Sequence, residues 1–326
     1  MIYIESSKTN PYYNLALEEY IFEKMNPSES YFMLWQNDNS IIVGKYQNTA
    51  EEINQEYVDE HKIRVARRLS GGGAVYHDAG NLNFTFITDQ KELADFNFKV
   101  FVKPIIQALE ELGVHAEFTG RNDLVLDGRK FSGNSQYVKR GRVMHHGCIM
   151  LDSNLDRVRD ALRVKESKFK SKSVKSVRSQ ITTINEHASK KITMAEFKEA
   201  LKRQAFAGSD MTEYKLTEAD ERAVLALMHE KYETWDWNFG FVKAYSIRRE
   251  QKFDSGLVTV DMDVKRGVIA DIHLSGDFFG SGDLRELEEK LKGTPLDAHL
   301  AQRLQELDIE KYIRGVSAAD MALLMQ

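Results

Sequence analysis

The sequence predicts an α/β (α+β) protein with a large N-terminal domain and a small C-terminal one. At 326 residues the chain is longer than a single typical hydrophobic core requires. Apolar residues recur at helical spacing in some segments and alternate strictly in others, so both helices and strands are expected. The strand pattern restarts near Tyr245, after a run of helices. We therefore predict domains at residues 1–240 and 241–326.

Composition narrows the function classes. The chain is 42% hydrophobic and 29% charged, which is ordinary for a globular protein. A formal net charge of −5 gives no bulk attraction to nucleic acid. No apolar run reaches about 18 residues, and the N-terminal MIYIESSKTN lacks the layout of a signal peptide. We expect a cytoplasmic enzyme, monomeric by default, with no nucleic-acid or membrane partner.

The N-terminal half carries helix and strand signals in turn. A first helix opens at Asn10-Pro11, a capping residue followed by proline. The segments SYFMLW and SIIVG flank QNDN and predict a hairpin. Residues 67–78, RRLSGGGAVYHD, lead into the alternating NLNFTFIT, so the glycine run is predicted to join two strands. A second helix has apolar residues at helical spacing, namely Phe101, Ile105, Ala108, Leu109 and Leu112.

A strand meander and further helices follow. The segment RNDLVLDGRKFSGNSQYVKRGRVMHHGCIML predicts strands with turns at Asp127-Gly128 and Arg140-Gly141. Two helices are predicted next, at Met194–Phe206 and after the cap Thr217. In the small domain GLVTVDMDV and VIADIHL alternate and are joined by KRG, which predicts a hairpin. Short helices from Asp283 onward complete this domain.

The glycine run is the first chemical signal. Three successive glycines expose backbone N–H groups that can converge on an anion or let a ligand approach the main chain. Arg67 and Arg68 add donors suited to phosphate or carboxylate. Neither a lysine nor a helix follows at the spacing of the known phosphate loops. A strand with a glycine bulge is the alternative interpretation.

Lys130 and Asp123 flank the first turn of the meander. A lysine held on a strand can stabilise the charge that develops as an acyl phosphate forms. An exposed hairpin lysine is equally compatible with the sequence. Asp123 could lie beside a magnesium ion, but a turn aspartate that caps its own backbone is the commoner pattern.

The segment 165–178 carries six basic residues and one acidic residue, with serines between them. This composition fits a mobile loop that closes over a polyphosphate, and also a solvated basic face or a nucleic-acid contact. Phe169 is the one residue of the segment able to stack on a base, so loop closure is the favoured interpretation.

Cys148 is the single cysteine, which excludes an intramolecular disulfide and a Cys-rich zinc site. Because it lies near histidines in the sequence, it is a candidate acyl-carrying nucleophile. Its apolar strand GCIML instead favours packing as a small hydrophobic residue. His77, His145 and His146 match no standard zinc spacing.

In their order along the chain, these motifs resemble those of the lipoate–protein ligase family. RRLSGGGAVYHDAGNLNF is similar to the family's lipoate-binding loop, and RNDLVLDGRKFSGNSQ to its catalytic-lysine motif. RVMHHGCIML resembles the strand that follows, and KSVKSVRSQIT resembles the adenylate-binding loop. NFG, IRRE and GDFFG resemble the accessory domain of the two-domain ligases. The resemblance thus covers nearly the whole chain.

The resemblance implies a fold and an activity. The family has a large catalytic domain related to that of biotin ligases, with a mixed sheet and flanking helices, and a small α/β C-terminal accessory domain. It uses ATP and Mg²⁺ to convert lipoate into lipoyl-AMP, and then transfers the lipoyl group to a lysine of an acceptor. The implied acceptors are lipoyl domains of 2-oxoacid dehydrogenase complexes or a lipoyl carrier of the glycine-cleavage type.

The resemblance also implies roles for residues of this chain. Lys130 is the implied catalytic residue, in contact with the lipoate carboxylate and the α-phosphate of ATP. The other implied ATP-binding residues are Arg68, Gly73, Ala74, Val75, Tyr76 and Arg178. The other implied lipoate-binding residues are Gly71, Gly72 and His77. Asp123 is the candidate ligand for magnesium.

Two departures from the family pattern keep other functions open. Gln180 stands where a second arginine is frequent, and Cys148 stands where a threonine-like residue is common. Related acyltransferases use a cysteine and no ATP, so a Cys148-dependent lipoyl or octanoyl transferase is the alternative. The accessory domain weighs against it, because those transferases resemble the catalytic domain alone. A nonenzymatic protein that binds lipoyl-AMP or nucleic acid is the alternative from another class.

Overall fold

The computed structural model describes residues 1–89, 98–119, 122–163, 180–240 and 245–326. Its strands are β1 (Ile2–Glu5), β2 (Tyr31–Trp35), β3 (Ser40–Val43), β4 (Arg64–Arg67), β5 (Val75–His77), β6 (Asn81–Asp89), β7 (Glu117–Thr119), β8 (Asp123–Leu126), β9 (Arg129–Lys139), β10 (Arg142–Met150), β11 (Thr212–Glu213), β12 (Ile247–Phe253), β13 (Gly256–Lys265) and β14 (Val268–Gly276).

The helices of the same described ranges are α1 (Pro11–Lys24), α2 (Thr49–Glu52), α3 (Gln55–Glu60), α4 (Phe98–Glu111), α5 (Leu155–Ala161), α6 (Met194–Ala205), α7 (Glu218–Leu227), α8 (Trp235–Asn238), α9 (Leu284–Leu291), α10 (Leu300–Gln305), α11 (Ile309–Tyr312) and α12 (Ala318–Met325). A 3₁₀ turn (Ile184–Glu186) precedes α6, and a π-helical turn (Met228–Tyr232) follows α7. Within these ranges, no helix combines the length and apolar character needed to cross a membrane.

A mixed sheet forms the frame of the large domain, as predicted. The order of its described strands is β11-β1-β2-β6-β10-β9-β8-β7. β11, β1 and β2 pair in parallel, and the remaining neighbours pair antiparallel. Helices α4 and α6 pack on one face and α1 packs on the other. Successive side chains of a strand point to opposite faces of its sheet. On β6, Phe84 therefore packs toward α4 and Ile87 toward α1, so the sheet has a separate hydrophobic core on each face.

The predicted hairpin between SYFMLW and SIIVG is wrong. β2 is buried at every position and lies between β1 and β6 in the interior of the large sheet. β3 pairs instead with β4 and β5 in a separate three-stranded sheet. A strand buried on both faces needs a hydrogen-bonding neighbour at both edges, and β1 and β6 already supply these to β2. The turn after β2 therefore leads out of the large sheet.

Residues 245–326 form a second α/β unit. β12, β13 and β14 make an antiparallel sheet, and the turn of the predicted hairpin lies at Arg266-Gly267, where φ is 54° and 74°. Leu287 and Leu300 from its helices pack on this sheet, and Tyr46 of the large domain joins the same core. The predicted boundary at residues 240 and 241 adjoins residues 241–244, which lie outside the described residues, and it stays a prediction.

Candidate active site

The β8–β9 hairpin holds Lys130 at the edge of a cavity. Asp127 and Gly128 have φ values of 48° and 74°, the left-handed pair that a tight two-residue turn requires. Lys130 follows the turn on β9, and its Nζ lies 2.7 Å from Asp123 Oδ1 on β8. A Cβ at Gly133 would come within 3.0 Å of Lys130 Nζ, so the glycine leaves room for the ammonium group. Lys130 is thus held on a strand, as the sequence predicts.

The glycine run lies against backbone on two sides. Gly72 has a φ of 89°, a conformation that favours glycine. A Cβ at Gly44 would lie 2.0 Å from Gly72 O, and one at Gly71 would lie 2.3 Å from Phe278 O. Ser135 Oγ donates a hydrogen bond to Gly71 O at 2.8 Å. Close packing of main chain against main chain therefore requires glycine here.

Arg68 supports the glycine run from the inside. Its guanidinium donates to Gly71 O at 2.6 Å and to Gly73 O at 2.9 Å. Further donors reach Ile42 O and Ser70 Oγ. Burial lowers the pKa of Arg68 to about 10, so the group stays charged at neutral pH. The side chain lines the cavity, and its contact with a nucleotide stays a prediction.

The guanidinium of Arg67 bonds to protein oxygens and does not line the cavity. Its guanidinium donates to Gly44 O, Gln47 O and Asn238 O, and to Thr49 Oγ1. A buried charge is tolerated when such oxygens satisfy its donors. Arg67 therefore ties the end of β4 to α8, and the phosphate contact suggested by the sequence has no support in this geometry.

The glycine run, the hairpin and the large sheet enclose a cavity of about 100 Å³. The predicted site residues that line it are Arg68, Gly72, Gly73, Ala74, Val75, His77 and Lys130. Leu15 and Ile42 add an apolar wall. The fold thus brings two distant sequence motifs to a single cavity.

One row of residues forms the floor of this cavity. The members that line the cavity face each other across neighbouring strands, in the order Trp35, Asn83, Cys148 and Gly133, and Asp123 continues this row on β8, next to Gly133 and beyond the cavity lining. Neighbouring strands lie about 4.8 Å apart, so this floor row covers about 14 Å from Trp35 to Gly133. One end of the floor row is aromatic, and the other end is polar because Lys130 lies beside it.

A chain of hydrogen bonds that we did not predict joins the cavity walls. Its members are Arg68, Ser70, His146, Glu18, Thr85 and Trp35. At its centre, His146 Nε2 lies 2.5 Å from Ser70 Oγ, and His146 Nδ1 lies 2.9 Å from Glu18 Oε1. Asn14 and Glu18 are both buried and four residues apart on α1. Glu18 belongs to this chain of hydrogen bonds, and a carboxylate on a buried helix face was the sequence signal available for it.

Of the histidines His77, His145 and His146, the first and the last line the cavity and His145 does not. His77 lines the cavity, and burial, reinforced by Arg68, lowers its pKa to about 3. His145 lies on the opposite face of the sheet and stacks on Phe101, with ring centroids 4.5 Å apart. In the part of the chain that the structure describes, no three His, Cys, Asp or Glu side chains form a group that could hold a metal ion.

Cys148 does not pack in the core, contrary to the sequence interpretation. The alternation of β10 turns Ile149 toward the core and Cys148 toward the floor row, where it is partly exposed. Tyr76 points away from the cavity into the small sheet's core, and its Oη donates to Asn39 Oδ1 at 2.8 Å. Any nucleotide contact of Tyr76 is therefore expected from its backbone.

The residues that flank the basic segment lie close to the site. Ile181 forms a parallel bridge with Lys130, and Thr182 donates its N–H to Lys130 O at 2.9 Å. Leu162, Ile181 and Ala74 pack on the same core cluster beneath the small sheet. Arg178 and the rest of residues 164–179 lie outside the described residues, so the predicted closure of this segment stays a prediction.

The C-terminal unit touches the glycine run. Gly72 donates its N–H to Phe278 O at 3.3 Å. Tyr46 stacks on Phe278 with ring centroids 5.1 Å apart, and its Oη donates to Gly282 O at 3.2 Å. These features define a two-domain α+β protein with an elongated cavity that is apolar at one end and polar at the other, and the small domain supports one wall of that cavity.

The comparisons with known proteins identify the family. Residues 10–206 match the family model of the lipoyl protein ligase A/B catalytic domain, and residues 243–325 match that of the bacterial lipoate protein ligase C-terminus. The chain is 46% identical over 318 residues to lipoate–protein ligase 1 of Staphylococcus aureus, with 97% of each chain covered. It is 44% identical over 325 residues to the lipoate-protein ligase LplJ of Bacillus subtilis, with 98% of each covered. The chain therefore belongs to the lipoate–protein ligase family.

Solved structures show the same fold. The Plasmodium falciparum LipL1 in complex with lipoate superposes with a TM-score of 0.80 at 22% identity, covering 100% of this chain and 99% of that one. The bipartite lipoate protein ligase of Thermoplasma acidophilum, described with its E2 lipoyl domain, gives 0.66 at 27% identity over 76% of this chain and 98% of that one. A lipoate-protein ligase A bound with ATP gives 0.65 at 25% identity over 74% and 98%.

Proposed function

We propose that the protein activates lipoate with ATP to give lipoyl-AMP and pyrophosphate, and then transfers the lipoyl group to a lysine of an acceptor protein. The observation that carries this proposal is the floor row with Lys130 at its polar end. An extended chain advances about 3.3–3.6 Å for every three bonds, so an eight-carbon acid spans about 9 Å. That length fits the floor row, and full-length similarity to lipoate–protein ligases supports the same substrate.

In the first step, a carboxylate oxygen of lipoate attacks the α-phosphorus of ATP, and pyrophosphate leaves. Both reacting groups are anionic, so their repulsion has to be offset where they meet. Lys130 Nζ is held at that end of the cavity by Asp123. Its ammonium group would contact the carboxylate and the α-phosphate together, and a donor already in position costs no reorganisation as the new bond forms.

The proposed nucleotide site is the free edge of the small sheet. β5 pairs with β3 but is the outer strand in the described order β4-β3-β5. Its outward backbone groups are therefore open to a ligand. We assign the nucleotide to the backbone of residues 73–76, with Arg68 behind it and Arg178 in the closing segment.

Asp123 fits a magnesium ion that arrives with ATP. Mg²⁺ is usually held by one or two carboxylates together with substrate phosphates, and Asp123 is a carboxylate at the polar end of the floor row. The ion would neutralise phosphate charge. Asp123 also holds Lys130, so it would keep the lysine ammonium near that charge.

In the second step, the neutral amine of the acceptor lysine attacks the acyl carbon and releases one proton to solvent as the amide forms, and AMP leaves with the electrons of the anhydride bond. The enzyme needs no side-chain nucleophile, but it has to exclude water from a hydrolysable anhydride. The proposed acceptors are lipoyl domains of 2-oxoacid dehydrogenase complexes or a lipoyl carrier of the glycine-cleavage type. The archaeal ligase described with its E2 lipoyl domain supports this choice. We propose a monomer as the active form.

The test is lipoate-dependent exchange of labelled pyrophosphate into ATP, with magnesium and without an acceptor. We expect exchange that requires lipoate, because formation of lipoyl-AMP is reversible and does not need the acceptor protein. A folded protein that shows no exchange, yet moves acyl groups between carrier proteins, would overturn the proposal in favour of transfer without ATP.

A further inference from the structure

Two buried polar groups in the cavity have no hydrogen-bonding partner among the described residues. They are His77 Nε2 and Asn83 Nδ2. His77 is 3% exposed and Asn83 is 1% exposed, and both line the cavity. Buried side-chain polar atoms in native proteins are nearly always bonded. Two such atoms facing the same cavity therefore indicate a partner that arrives with the ligand.

The neighbouring contacts make both groups donors. Asn14 Nδ2 donates to Asn37 Oδ1 at 2.9 Å, which leaves the Asn37 amide nitrogen facing His77 Nδ1 at 3.1 Å. His77 Nδ1 thus accepts, and Nε2 carries the ring hydrogen. Asn83 Oδ1 accepts from Asn81 Nδ2 at 2.9 Å, which leaves the Asn83 amide nitrogen uncommitted.

These donors lie far from the reacting carboxylate. Asn83 and Gly133 both belong to the floor row, and one strand, β10, separates their strands. Two strand spacings place Asn83 about 10 Å from Gly133, beside which Lys130 Nζ lies. That separation matches the far end of an extended eight-carbon acid, about 9 Å from its carboxylate.

Lipoate carries its two ring sulfur atoms at this far end, whereas octanoate carries only hydrogen on carbon. Sulfur accepts hydrogen bonds weakly and makes favourable contacts with aromatic rings. Trp35 lies at the same end of the floor row, with its ring centroid 6.3 Å from that of His77. A plain hydrocarbon would leave both donors buried and unpaired, which is unfavourable.

We propose that His77 and Asn83 are specificity-determining residues, which select an acid with sulfur acceptors at its far end over a plain acid of equal length. This inference rests on the proposed function, because it places the carboxylate at Lys130. In this proposal, the acid reacts with ATP at the polar end of the cavity, and the aromatic end distinguishes one acyl group from another.

The test compares lipoate with octanoate as substrates for pyrophosphate exchange, in the wild type and in Asn83→Leu. We expect the ratio of kcat/KM for lipoate to that for octanoate to fall about tenfold, because octanoate no longer leaves a donor unpaired and lipoate loses a contact. His77→Phe serves as the second variant with the same expected direction. Ser153→Ala removes a buried hydroxyl that is also unpartnered among the described residues but lies outside the cavity, and it should leave the ratio unchanged.

Two results would overturn the inference. An unchanged ratio in both folded cavity variants would show that the donors hold only water or only support the walls. A lipoate-to-octanoate ratio that rises in both variants would contradict the assigned donors as well. A wild type that activates neither acid would instead contradict the proposed function, so the two failures are distinguishable.

Discussion

Lys130 Nζ lies 2.7 Å from Asp123 Oδ1 across the β8–β9 hairpin. The two side chains are 37% and 35% exposed, so the ion pair itself contributes little to stability. Its effect is positional: it keeps a flexible lysine at the polar end of the floor row, next to Gly133. The catalytic proposal depends on this placement.

Lys130→Ala should lower lipoate-dependent pyrophosphate exchange by about 10²–10³-fold, the usual cost of losing a donor that stabilises developing charge. The matched control is Lys139→Ala at the other end of β9. Lys139 pairs with Glu23 and is 41% exposed, so exchange should not change. Exchange at the wild-type rate in Lys130→Ala would refute the assigned role.

Gly72→Val should strongly reduce kcat/KM for lipoate. Gly72 has a φ of 89°, and its added Cβ would lie 3.1 Å from Arg68 Nη2 and 3.3 Å from the Phe279 ring. Gly113→Val controls for backbone strain, because Gly113 has a φ of 79° and no atom within 4 Å of the added Cβ. Gly113→Val should cost about 1–2 kcal/mol of stability and leave exchange intact. Similar kinetics for both variants would contradict the tight packing of the glycine run.

Cys148→Ala should retain ATP-dependent lipoylation of a lipoyl-domain acceptor. Cys148 lines the cavity and is partly exposed, so it is accessible to an acyl group. In the proposed mechanism, however, the nucleophile is the acceptor lysine and the thiol has no covalent role. Loss of transfer in a variant with a wild-type circular dichroism spectrum would favour the cysteine-dependent transferase.

Tyr46→Ala should destabilise the protein by about 3 kcal/mol or more, because it removes a large buried ring from the core of the small domain. Tyr46→Phe keeps the stack on Phe278 and loses the hydrogen bond to Gly282 O, so about 1 kcal/mol is expected. Urea unfolding measures both changes. Equal losses in the two variants would show that the ring contributes nothing beyond its hydroxyl.

Stability should fall as the pH drops from about 6.5 toward 3, in part because of His77. Its pKa is about 3 in the folded protein, against about 6.5 for a solvated histidine, so the unfolded chain binds more protons in this interval. His77→Phe removes this contribution. Its unfolding free energy should therefore decline less steeply, by up to about 1.4 kcal/mol per pH unit. Parallel pH dependences for wild type and variant would contradict a buried neutral His77.

Local signals in the sequence were sufficient for many elements. Asn10 accepts from Tyr12 N and Pro11 begins α1, as the cap-and-proline pattern predicts. Thr217 and Asp220 form the capping box at the start of α7. Caps and tight turns depend on side-chain and φ preferences of a few adjacent residues, so one short segment carries enough information.

Partner choice between strands could not be predicted in the same way. β2 and β3 are close in sequence, but β2 pairs with β1 and β6, and β3 pairs with β4 and β5. Pairing depends on which distant strands offer free edges, and no local pattern records that. The environments of Arg67 and Cys148 were predicted wrongly for the same reason, because each depends on contacts with residues far along the chain.

The sequence by itself determined the helix caps, the hairpin turns, the glycine run and the position of Lys130 on a strand, because these follow from local backbone preferences. Only the tertiary structure decided the floor row, the hydrogen-bonded chain through His146, and the donors of His77 and Asn83 that have no partner among the described residues. Each of these requires strands or helices from separate parts of the chain to meet at one level of a sheet. The physical reason is that strand register and burial decide which donors find a hydrogen-bonding partner. Both are set only when the strands and helices have packed together.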